Sequence, residues 1–247
     1  MEESRGHLHP ITSAIRDIRG IFSSLGFEVA LGPELETEFY NFDALNIPAD
    51  HPARDMQDTF WVKTKPDEER KLLRTQTSAV QVRYMETHKP PLRIIVPGKV
   101  FRNEATDATH EAQFYHIEAL AVDKNISVAH LKGVLENFFE KFFGKKVETR
   151  LRPSYFPFVE PGFETDLSCF KCGGSGCNIC KGTGWIEMGG SGMVHPQVFR
   201  NAGFDPKEYR GFAFGFGIDR LVMLKYGVDD IRHLYSADLR VVNQFPS

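Results

Sequence analysis

Residues 100–122, VFRNEATDATHEAQFYHIEALAV, contain two strand-like segments joined by a polar loop. The first segment, Lys99–Arg102, follows a turn predicted at Pro97 and Gly98. The alternation of Gln113–Val122 predicts a long second strand. Strands that follow each other without an intervening helix favour antiparallel pairing.

The segments on either side of this stretch extend the same pattern. Helices are predicted at Pro10–Leu25, Glu38–Leu45, Thr77–Thr87 (with Thr77 or Ser78 as N-cap), Ser127–Phe143 and from Ile218. Further strands are predicted at Phe27–Leu31, Leu92–Val96, Lys146–Leu151, Phe163–Leu167, Gly184–Gly190 and Gly211–Phe216, and a charged turn containing Pro66 at 63–71. Helices therefore occur in clumps between runs of strands, which predicts an α+β fold with an antiparallel sheet flanked by helices. Without a repeat or linker-like tract, residues 1–247 are predicted to form a single domain.

Composition limits the class of protein without naming a function. The 247 residues carry a formal net charge of −3 and no Lys or Arg run longer than two, so the chain lacks the basic balance of a free-standing nucleic-acid binder. No apolar run approaches the ~18 residues of a membrane span, and the polar first residues do not read as a signal peptide. These features predict a cytoplasmic protein whose 21 phenylalanines are first of all core material.

Two short motifs predict a site for an anion. Arg102 and Glu104 flank Asn103, so in a strand they would share a face, although alone they could form an ordinary exposed ion pair. Far along the chain, GFGIDR at 215–220 places glycines before a helix that has Arg220 in its first turn. An arginine there opposes the helix dipole unless it faces an anion. Arg220 is therefore a candidate phosphate ligand.

The order of these motifs resembles the class II aminoacyl-tRNA synthetases. Phe-Arg-x-Glu with the later His-x-x-x-Phe is similar to motif 2, GFGIDR to motif 3, and residues 10–33 to motif 1, which forms the dimer interface in this class. Other segments narrow the resemblance to the phenylalanyl-tRNA synthetase α subunit: LLRT at 72–75, PSYFPFVEP at 153–161, GMVHP at 192–196 and GFAFG at 211–215. The resemblance covers residues 7–245.

The resemblance implies ATP-dependent activation of phenylalanine to its adenylate and transfer of the acyl group to tRNA(Phe), without a covalent nucleophile. Catalysis would then depend on positioning and on neutralising phosphoryl charge. By the same resemblance, Arg102 holds the α-phosphate and the substrate carboxylate, Glu104 lies on the adenine side, and His110 reaches the terminal phosphates. Phe114 and Arg220 would enclose the adenine ring.

The resemblance also implies a pocket for the amino acid. Phe156 and Phe158 lie two apart, so in an extended segment both rings would face one side, although they could equally be core residues. Ala213 would form the pocket floor. The remaining implied positions are Ser78, Gln81 and Glu118 as acceptors for the substrate ammonium, Gln76 and His116 beside them, and Trp61 as a wall or a core residue.

Three positions depart from the family pattern. Gln76 stands where the family has His in Thr-His-Thr-Ser, His116 stands where it has Gln in Phe-His-Gln-x-Glu-Gly, and Ala119 replaces the Gly of that motif. We hypothesise that Gln76 and His116 have exchanged partners in one polar network around the substrate ammonium. Independent drift and an altered substrate choice are the alternatives, and the extra methyl of Ala119 could contribute to the second.

The resemblance further implies partners. Its α subunits carry a helical arm that grips tRNA ahead of the catalytic domain, whereas here the match begins near residue 7, so tRNA binding by this sequence is expected to be weak. A β subunit is a possible partner, and residues 10–33 are expected to mediate dimerisation.

Two metal sites are predicted. By resemblance, Glu160 would ligate the Mg²⁺ that accompanies ATP. Cys169-x-x-Cys172 and Cys177-x-x-Cys180, separated by Gly-Gly-Ser-Gly, form paired knuckles within a predicted hairpin at 168–185 and are a strong signal for tetrahedral Zn²⁺. Four thiolates close the coordination sphere, so this zinc would be structural. The alternative is four free thiols, which would be prone to oxidation.

Two other functions stay open at this point. The chain could be an inactive paralogue or assembly module, or an adenylating enzyme of small-molecule metabolism. The joint presence of Arg102, Glu104, Phe114 and Arg220 argues against the first, because no structural role needs all four. The absent arm and the low positive charge leave the second open.

Overall fold

The computed structural model describes residues 6–50, 59–65 and 67–245, whose strands form two sheets. The helices are α1 (Pro10–Ser24), α2 (Glu38–Asn41), α3 (Ala79–Thr87), α4 (Val128–Phe143), α5 (Pro196–Asn201), α6 (Ile218–Tyr226) and α7 (Leu239–Val242), with 3₁₀ turns at Asp43–Leu45 and Ile231–Leu234. The strands are β1 (Glu28–Val29), β2 (Leu35–Thr37), β3 (Trp61–Val62), β4 (Lys71–Leu73), β5 (Leu92–Phe101), β6 (Gln113–Asp123), β7 (Thr149–Phe156), β8 (Val159–Ser168), β9 (Trp185–Val194) and β10 (Arg210–Gly217). Within these ranges, no helix combines the length and apolar character needed to cross a bilayer.

The larger sheet has seven strands in the order β1-β5-β6-β10-β9-β8-β7. Only the short β1 runs parallel to its neighbour, and the other pairs are antiparallel. The smaller sheet, β2-β4-β3, is antiparallel as well. The predicted α+β fold with an antiparallel sheet is therefore confirmed. Pro66, expected to interrupt the turn at 63–71, lies outside the described residues.

Phenylalanine rings fill the space between the large sheet and the helices α1, α4 and α6. Phe22 of α1 lies 5.0 Å from Phe138 of α4, and Phe139 lies 5.3 Å from Phe216 of β10, measured between ring centroids. All four rings are buried. Since each such ring removes a large apolar area from water, this face anchors the sheet. The opposite face of β6 and β10 can therefore carry polar side chains.

One strand is longer than predicted. The turn expected at Pro97 and Gly98 is wrong, because β5 runs without a break from Leu92 to Phe101. The neighbouring β1 pairs with β5 only at Ile94 and Ile95, so beyond them β5 has a strand partner on one side alone, where proline is tolerated. Gly98 leaves room for Arg74, since a Cβ on Gly98 would lie 2.3 Å from Arg74 Nη2.

Two further local predictions need correction. Ser78 occupies the N-cap position of α3, but its side chain makes no capping hydrogen bond. Phe158 lies in the turn between β7 and β8 rather than in an extended segment, and the strand register shifts between Ser154 and Phe156. The Phe156 and Phe158 rings nevertheless pack together, with centroids 5.9 Å apart.

Candidate active site

A cavity of about 670 Å³ opens on the sheet face that carries Glu118 and Ala213. Its walls come from β6, β9, β10, the β7–β8 turn and the segment that precedes α3. Seven of the residues predicted to bind the amino acid line it: Gln76, Ser78, His116, Glu118, Phe156, Phe158 and Ala213. Most of the remaining lining is apolar or glycine, as is usual for a small-molecule site.

Two other predicted pocket residues lie elsewhere. Gln81 is buried behind the wall, where its Nε2 donates to Glu118 Oε1 over 2.7 Å. Trp61 is not among the residues that line the cavity. It lies on the small sheet, 42% exposed, and the Arg70 guanidinium carbon is 3.9 Å from its ring centroid. Its prediction as a pocket wall therefore finds no support in its position.

Glu118 is a buried carboxyl group on the wall of this cavity. Burial raises its pKa to about 8, although hydrogen bonds from Ser78 and Gln81 act in the opposite direction. Its nearest potential cation among the described residues is His116, with Nδ1 3.6 Å from Glu118 Oε2. Burial, together with Arg102 and Arg74, lowers the pKa of His116 to about 3, so the imidazole is neutral. Among the described residues, the Glu118 carboxyl thus has no charged partner, and it is suited to a ligand ammonium.

Two of the three residues that depart from the family pattern, Gln76 and His116, face this cavity. Thr77 Oγ1 lies 3.1 Å from His116 Nδ1, whereas Gln76 Nε2 donates to Asn41 O over 3.5 Å. Their contacts therefore run to different neighbours, and the hypothesis of exchanged partners stays a prediction. Ala119, by contrast, packs in the core between the sheet and the helices, so its extra methyl does not enter the cavity.

A smaller cleft of about 170 Å³ adjoins the cavity and shares Arg102, Phe114 and Gly217 with it. All five residues predicted to bind ATP line this cleft: Arg102, Glu104, His110, Phe114 and Arg220. The structure thus brings together two arginines from distant parts of the chain, which the sequence motifs predicted. The arrangement offers two guanidinium groups and an aromatic face to one ligand.

Arg102 is held from two sides. Its Nε donates to Thr75 O over 3.3 Å, and its guanidinium carbon lies 5.2 Å from the Phe114 ring centroid. Because β5 ends at Phe101, Arg102 and Glu104 follow the strand rather than belonging to it, yet they stay on one side with Nη1 and Oε1 3.9 Å apart. Burial lowers the pKa of Arg102, and Glu104 partly offsets this effect.

Glycines bring the backbone close to the site. A Cβ on Gly215 would lie 2.6 Å from Glu118 Oε2 and 2.7 Å from His116 Cε1, and a Cβ on Gly190 would lie 3.0 Å from Phe156 Cζ. Larger residues at either position would therefore displace groups that form the cavity. Within the motif at 215–220, close approach requires glycine at 215, whereas a Cβ on Gly217 would have its nearest neighbour, Arg220 Cβ, at 3.9 Å.

Some residues at the site were not predicted from the sequence. Arg220 Nε donates to Glu187 O over 3.1 Å, and the Glu187 charge partly offsets the lowering of the Arg220 pKa by burial. Asp219 lines the cleft beside Arg220. Glu160, the predicted magnesium ligand, lies instead on another cavity, with its carboxylate 72% exposed and 3.3 Å from His195 Nε2. In the sequence, Glu187 stands out only as a single acidic residue in the predicted strand Gly184–Gly190.

The four cysteines lie between β8 and β9 and converge. Their Sγ atoms all lie within 4.8 Å of one another, with Cys169–Cys177 at 3.7 Å and Cys172–Cys180 at 3.8 Å. Four ligands ~2.3 Å from a tetrahedral zinc would be ~3.8 Å apart. Burial acts to raise the pKa of Cys180, but hydrogen bonds from the N–H groups of Cys177 and Gly184 and with the thiols of Cys177 and Cys172 together lower that pKa to about 6. The sulfur spacing and the N–H donors fit a tetrathiolate metal site.

The comparisons with known proteins agree with this geometry. Residues 1–245 match the model of the "tRNA synthetases class II core domain (F)". The phenylalanine–tRNA ligase alpha subunit of Bacillus subtilis is 58% identical over 97% of this chain and 69% of its own length. That of Clostridium perfringens is 55% identical over 99% and 70%.

A solved structure supports the fold at a greater evolutionary distance. Pyrrolysyl-tRNA synthetase from Desulfitobacterium hafniense matches with a TM-score of 0.68 at 17% identity, over 92% of this chain and 74% of that one. At this identity the likeness concerns the fold alone. Taken with the family model and the high identity above, it leads to one assignment: the chain is a class II aminoacyl-tRNA synthetase core and belongs to the family of phenylalanine–tRNA ligase alpha subunits.

Proposed function

We propose that this chain activates phenylalanine with ATP to form phenylalanyl-adenylate and pyrophosphate, and then transfers the acyl group to tRNA. The observation that carries the proposal is the continuity of two cavities. One is aromatic with a buried carboxyl, and the other is lined by two arginines and Phe114. Arg102 belongs to both, so it lies where the substrate carboxylate would meet the α-phosphate.

The reaction needs groups that position two substrates and neutralise charge. Glu118 would take the ammonium of phenylalanine, and the Phe156 and Phe158 rings would contact its side chain. Phe114 and Arg220 would enclose adenine. Attack by the carboxylate oxygen on the α-phosphorus releases pyrophosphate, so negative charge develops next to Arg102. No side chain has to act as a covalent nucleophile.

ATP would arrive with Mg²⁺, which prefers carboxylate and phosphate oxygens and would help neutralise the triphosphate. Glu160 stays the ligand that the resemblance implies, and Glu187 is an alternative. Glu187 accepts a hydrogen bond from Arg152 Nη2 over 3.2 Å, and its charge partly offsets the lowering of the Arg220 pKa by burial. Neither Glu160 nor Glu187 is among the residues that line the two substrate cavities.

The four cysteines would hold a structural zinc that ties the loop between β8 and β9 to the sheet. Their spacing fits the ion, and the closed set of thiolates leaves no position for a substrate. None of the four cysteines lines either substrate cavity, so the loop is separate from the site of Arg102 and Glu118. Zinc would therefore act on stability rather than on the chemical step.

Partners follow from the family. The relatives are named as alpha subunits, so we propose a β subunit as partner for this chain, along with tRNA(Phe). Residues 10–33, including α1, are the proposed association surface. The net charge of −3 predicts that this chain alone makes few phosphate contacts with tRNA.

An altered amino-acid choice is the second candidate. It is favoured by His116 and Gln76, since both line the amino-acid cavity and both depart from the family pattern. Their effect would be exerted near the ammonium rather than near the substrate ring, because His116 lies beside Glu118. The enzyme would then still prefer a phenyl side chain. Activation assays with analogues altered at the α-amino group would distinguish phenylalanine activation from an altered amino-acid choice.

ATP–pyrophosphate exchange with each of the twenty amino acids tests the proposal. We expect exchange that depends on phenylalanine and Mg²⁺, at a rate well above that with tyrosine or leucine. Glu118→Gln provides the matched control, because it keeps the shape of the side chain while removing its charge. Exchange stimulated equally by several amino acids, or by none, would contradict the proposal.

A further inference from the structure

The Asp219 carboxylate joins two elements of the nucleotide cleft. Asp219 Oδ2 accepts the backbone N–H of Tyr115 over 2.7 Å, and its Oδ1 accepts the hydroxyl of Tyr235. Asp219 is only 2% exposed. A carboxylate placed this deeply is stable when its oxygens are hydrogen-bonded, and both are.

The hydrogen bond from Tyr115 N to Asp219 takes the place of a strand hydrogen bond at the end of the β6–β10 pairing. The pairing of β10 with β6 ends at Gly217 opposite His116, after which the main chain turns into α6. Tyr115 is the next residue of β6 toward the cleft, and its N–H would lack a strand partner there. The Asp219 side chain supplies the missing acceptor, so it helps to fix the distance between β6 and the start of α6 just beyond the last strand pair.

This distance also sets the width of the cleft. Phe114 precedes Tyr115, and Arg220 follows Asp219, and both line the cleft from opposite elements. A shift of Asp219 relative to Tyr115 would therefore move the ring and the guanidinium apart. Stacking on a planar ligand depends steeply on that separation.

The backbone beside Tyr235 is anchored to two other parts of the molecule. The carbonyl of the preceding Leu234 lies 2.8 Å from Nε2 of His9, which caps α1. Nearby, Ile231 N donates to Ala108 O over 2.9 Å, which ties the same 3₁₀ turn to the loop between β5 and β6. Tyr235 is thus a fixed point from which its hydroxyl can orient Asp219.

We propose that Asp219, oriented by Tyr235, is a positioning residue that sets the spacing of Phe114 and Arg220 and thereby the affinity for the adenine nucleotide. This inference rests on the proposed function, since it assumes that the cleft takes ATP. It assigns no contact between Asp219 and the substrate. Its effect should therefore fall on nucleotide binding and leave amino-acid binding nearly unchanged.

The test uses the full chain with Tyr235→Phe and Asp219→Asn. Isothermal titration with ATP and, separately, with phenylalanine gives affinities without turnover. Tyr235→Phe removes one hydrogen bond to a carboxylate, so we expect about tenfold weaker ATP binding and phenylalanine binding within about twofold of wild type. Asp219→Asn should show a larger loss for ATP. Tyr40→Phe is the matched control, since it also removes a tyrosine–carboxylate bond, to Glu86 at 2.7 Å.

The outcomes separate the inference from the proposed function. Wild-type ATP affinity in folded Tyr235→Phe and Asp219→Asn would overturn the inference alone. Parallel losses for ATP and phenylalanine, together with a lower melting temperature, would show a merely structural role and would also overturn it. Failure of the wild-type chain to bind ATP would overturn the proposed function as well. A selective rise in KM for ATP, with KM for phenylalanine unchanged, would support the inference.

Discussion

Arg102 and Arg220 line one cleft of about 170 Å³, although Arg102 follows β5 and Arg220 lies in the first turn of α6. The cleft opens into the larger cavity through Arg102 and Phe114. This convergence gives a physical reason for an arginine at the start of a helix, where it would otherwise oppose the helix dipole. Bound ATP, itself an anion, would resolve that conflict, with its α-phosphate against Arg102 and its adenine ring against Arg220.

Loss of either arginine should therefore reduce phosphoryl chemistry. We expect Arg102→Ala to lower kcat/KM in ATP–pyrophosphate exchange by about 10²–10³-fold, the usual size for one preorganised donor to developing charge. Arg220→Ala should lower kcat/KM by about tenfold or more, mainly through a higher KM for ATP, because it removes a cation from the adenine ring. Arg200→Ala, on α5 and outside both cavities, is the control. A change below threefold in either variant would count against the assigned roles.

Phenylalanine binding should depend on pH through Glu118. Its pKa is raised to about 8 in the ligand-free protein, so the carboxyl is mostly protonated at pH 7 and must lose its proton to pair with the ammonium. Affinity should rise by up to about tenfold per pH unit below 8 and level off above it. Titration calorimetry in buffers of different ionisation enthalpy should detect the released proton. If Glu118 causes the pH dependence, the Kd for phenylalanine should not change with pH in Glu118→Gln. A Kd that does not change with pH in the wild-type chain would refute the prediction.

The same shift has a consequence for stability. Because the folded-state pKa of Glu118 exceeds its ordinary value of 4.5, the free energy of unfolding of the ligand-free protein should fall as the pH rises from about 4.5 through 8. Glu118→Gln removes this loss, so its melting temperature should exceed that of wild type at pH 9 by more than at pH 5. Equal differences at both pH values would contradict a buried, unpaired carboxylate.

Metal removal should destabilise the fold locally. We expect metal analysis to find about one zinc per chain, and both chelation and Cys172→Ser to lower the melting temperature by several degrees. Ser175→Ala, between the two cysteine pairs, is the control because it leaves all four sulfurs in place. A preparation with well below one zinc per several chains and an unchanged melting temperature would refute the site.

The amino-acid cavity should be sensitive to added volume at Ala213. This residue lies on the cavity wall and is almost completely buried. Ala213→Val adds two methyl groups where the substrate ring is proposed to lie, so kcat/KM for phenylalanine should fall about tenfold or more, mainly through KM. Ala202→Val, also buried but outside the cavity, controls for overpacking. Equal kinetics for Ala213→Val and wild type would place the ring elsewhere.

Coupling between Gln76 and His116 can be measured with a double-mutant cycle. We expect Gln76→His and His116→Gln to be non-additive in phenylalanine affinity by more than about 0.5 kcal/mol, because both side chains line the same cavity. Gln76 contacts Asn41, and His116 contacts Thr77, which is the chain neighbour of Gln76. Coupling can therefore pass through this segment or through the bound ligand. Additive losses would favour independent drift.

The order of the elements and most of the site could be predicted from sequence because they follow from local patterns. The aromatic stripe of α4, the alternation in β6 and the turn into α6 each depend on neighbours in the chain. The continuous β5 could not be predicted, since tolerance of Pro97 depends on how far β1 extends beside it. Likewise, the reason for glycine at position 98 is the Arg74 side chain that packs against it, a contact that the sequence does not reveal.

Single residues around the site were harder to predict than motifs. Glu160 and Trp61 have suitable chemistry but are not among the residues that line the two cavities, so their predicted roles stay predictions. Glu187 and Asp219 were missed because their importance comes from contacts across the sheet, with Arg220 and Tyr115. Such contacts have no signature in the spacing of residues.

The most direct measurement is a crystal structure of the chain with ATP, Mg²⁺ and phenylalanine. We expect adenine between Phe114 and Arg220, the α-phosphate against Arg102, and the ammonium of phenylalanine on Glu118. Nucleotide density outside the cleft, with Arg102 and Arg220 contacting no phosphate or base, would contradict the account.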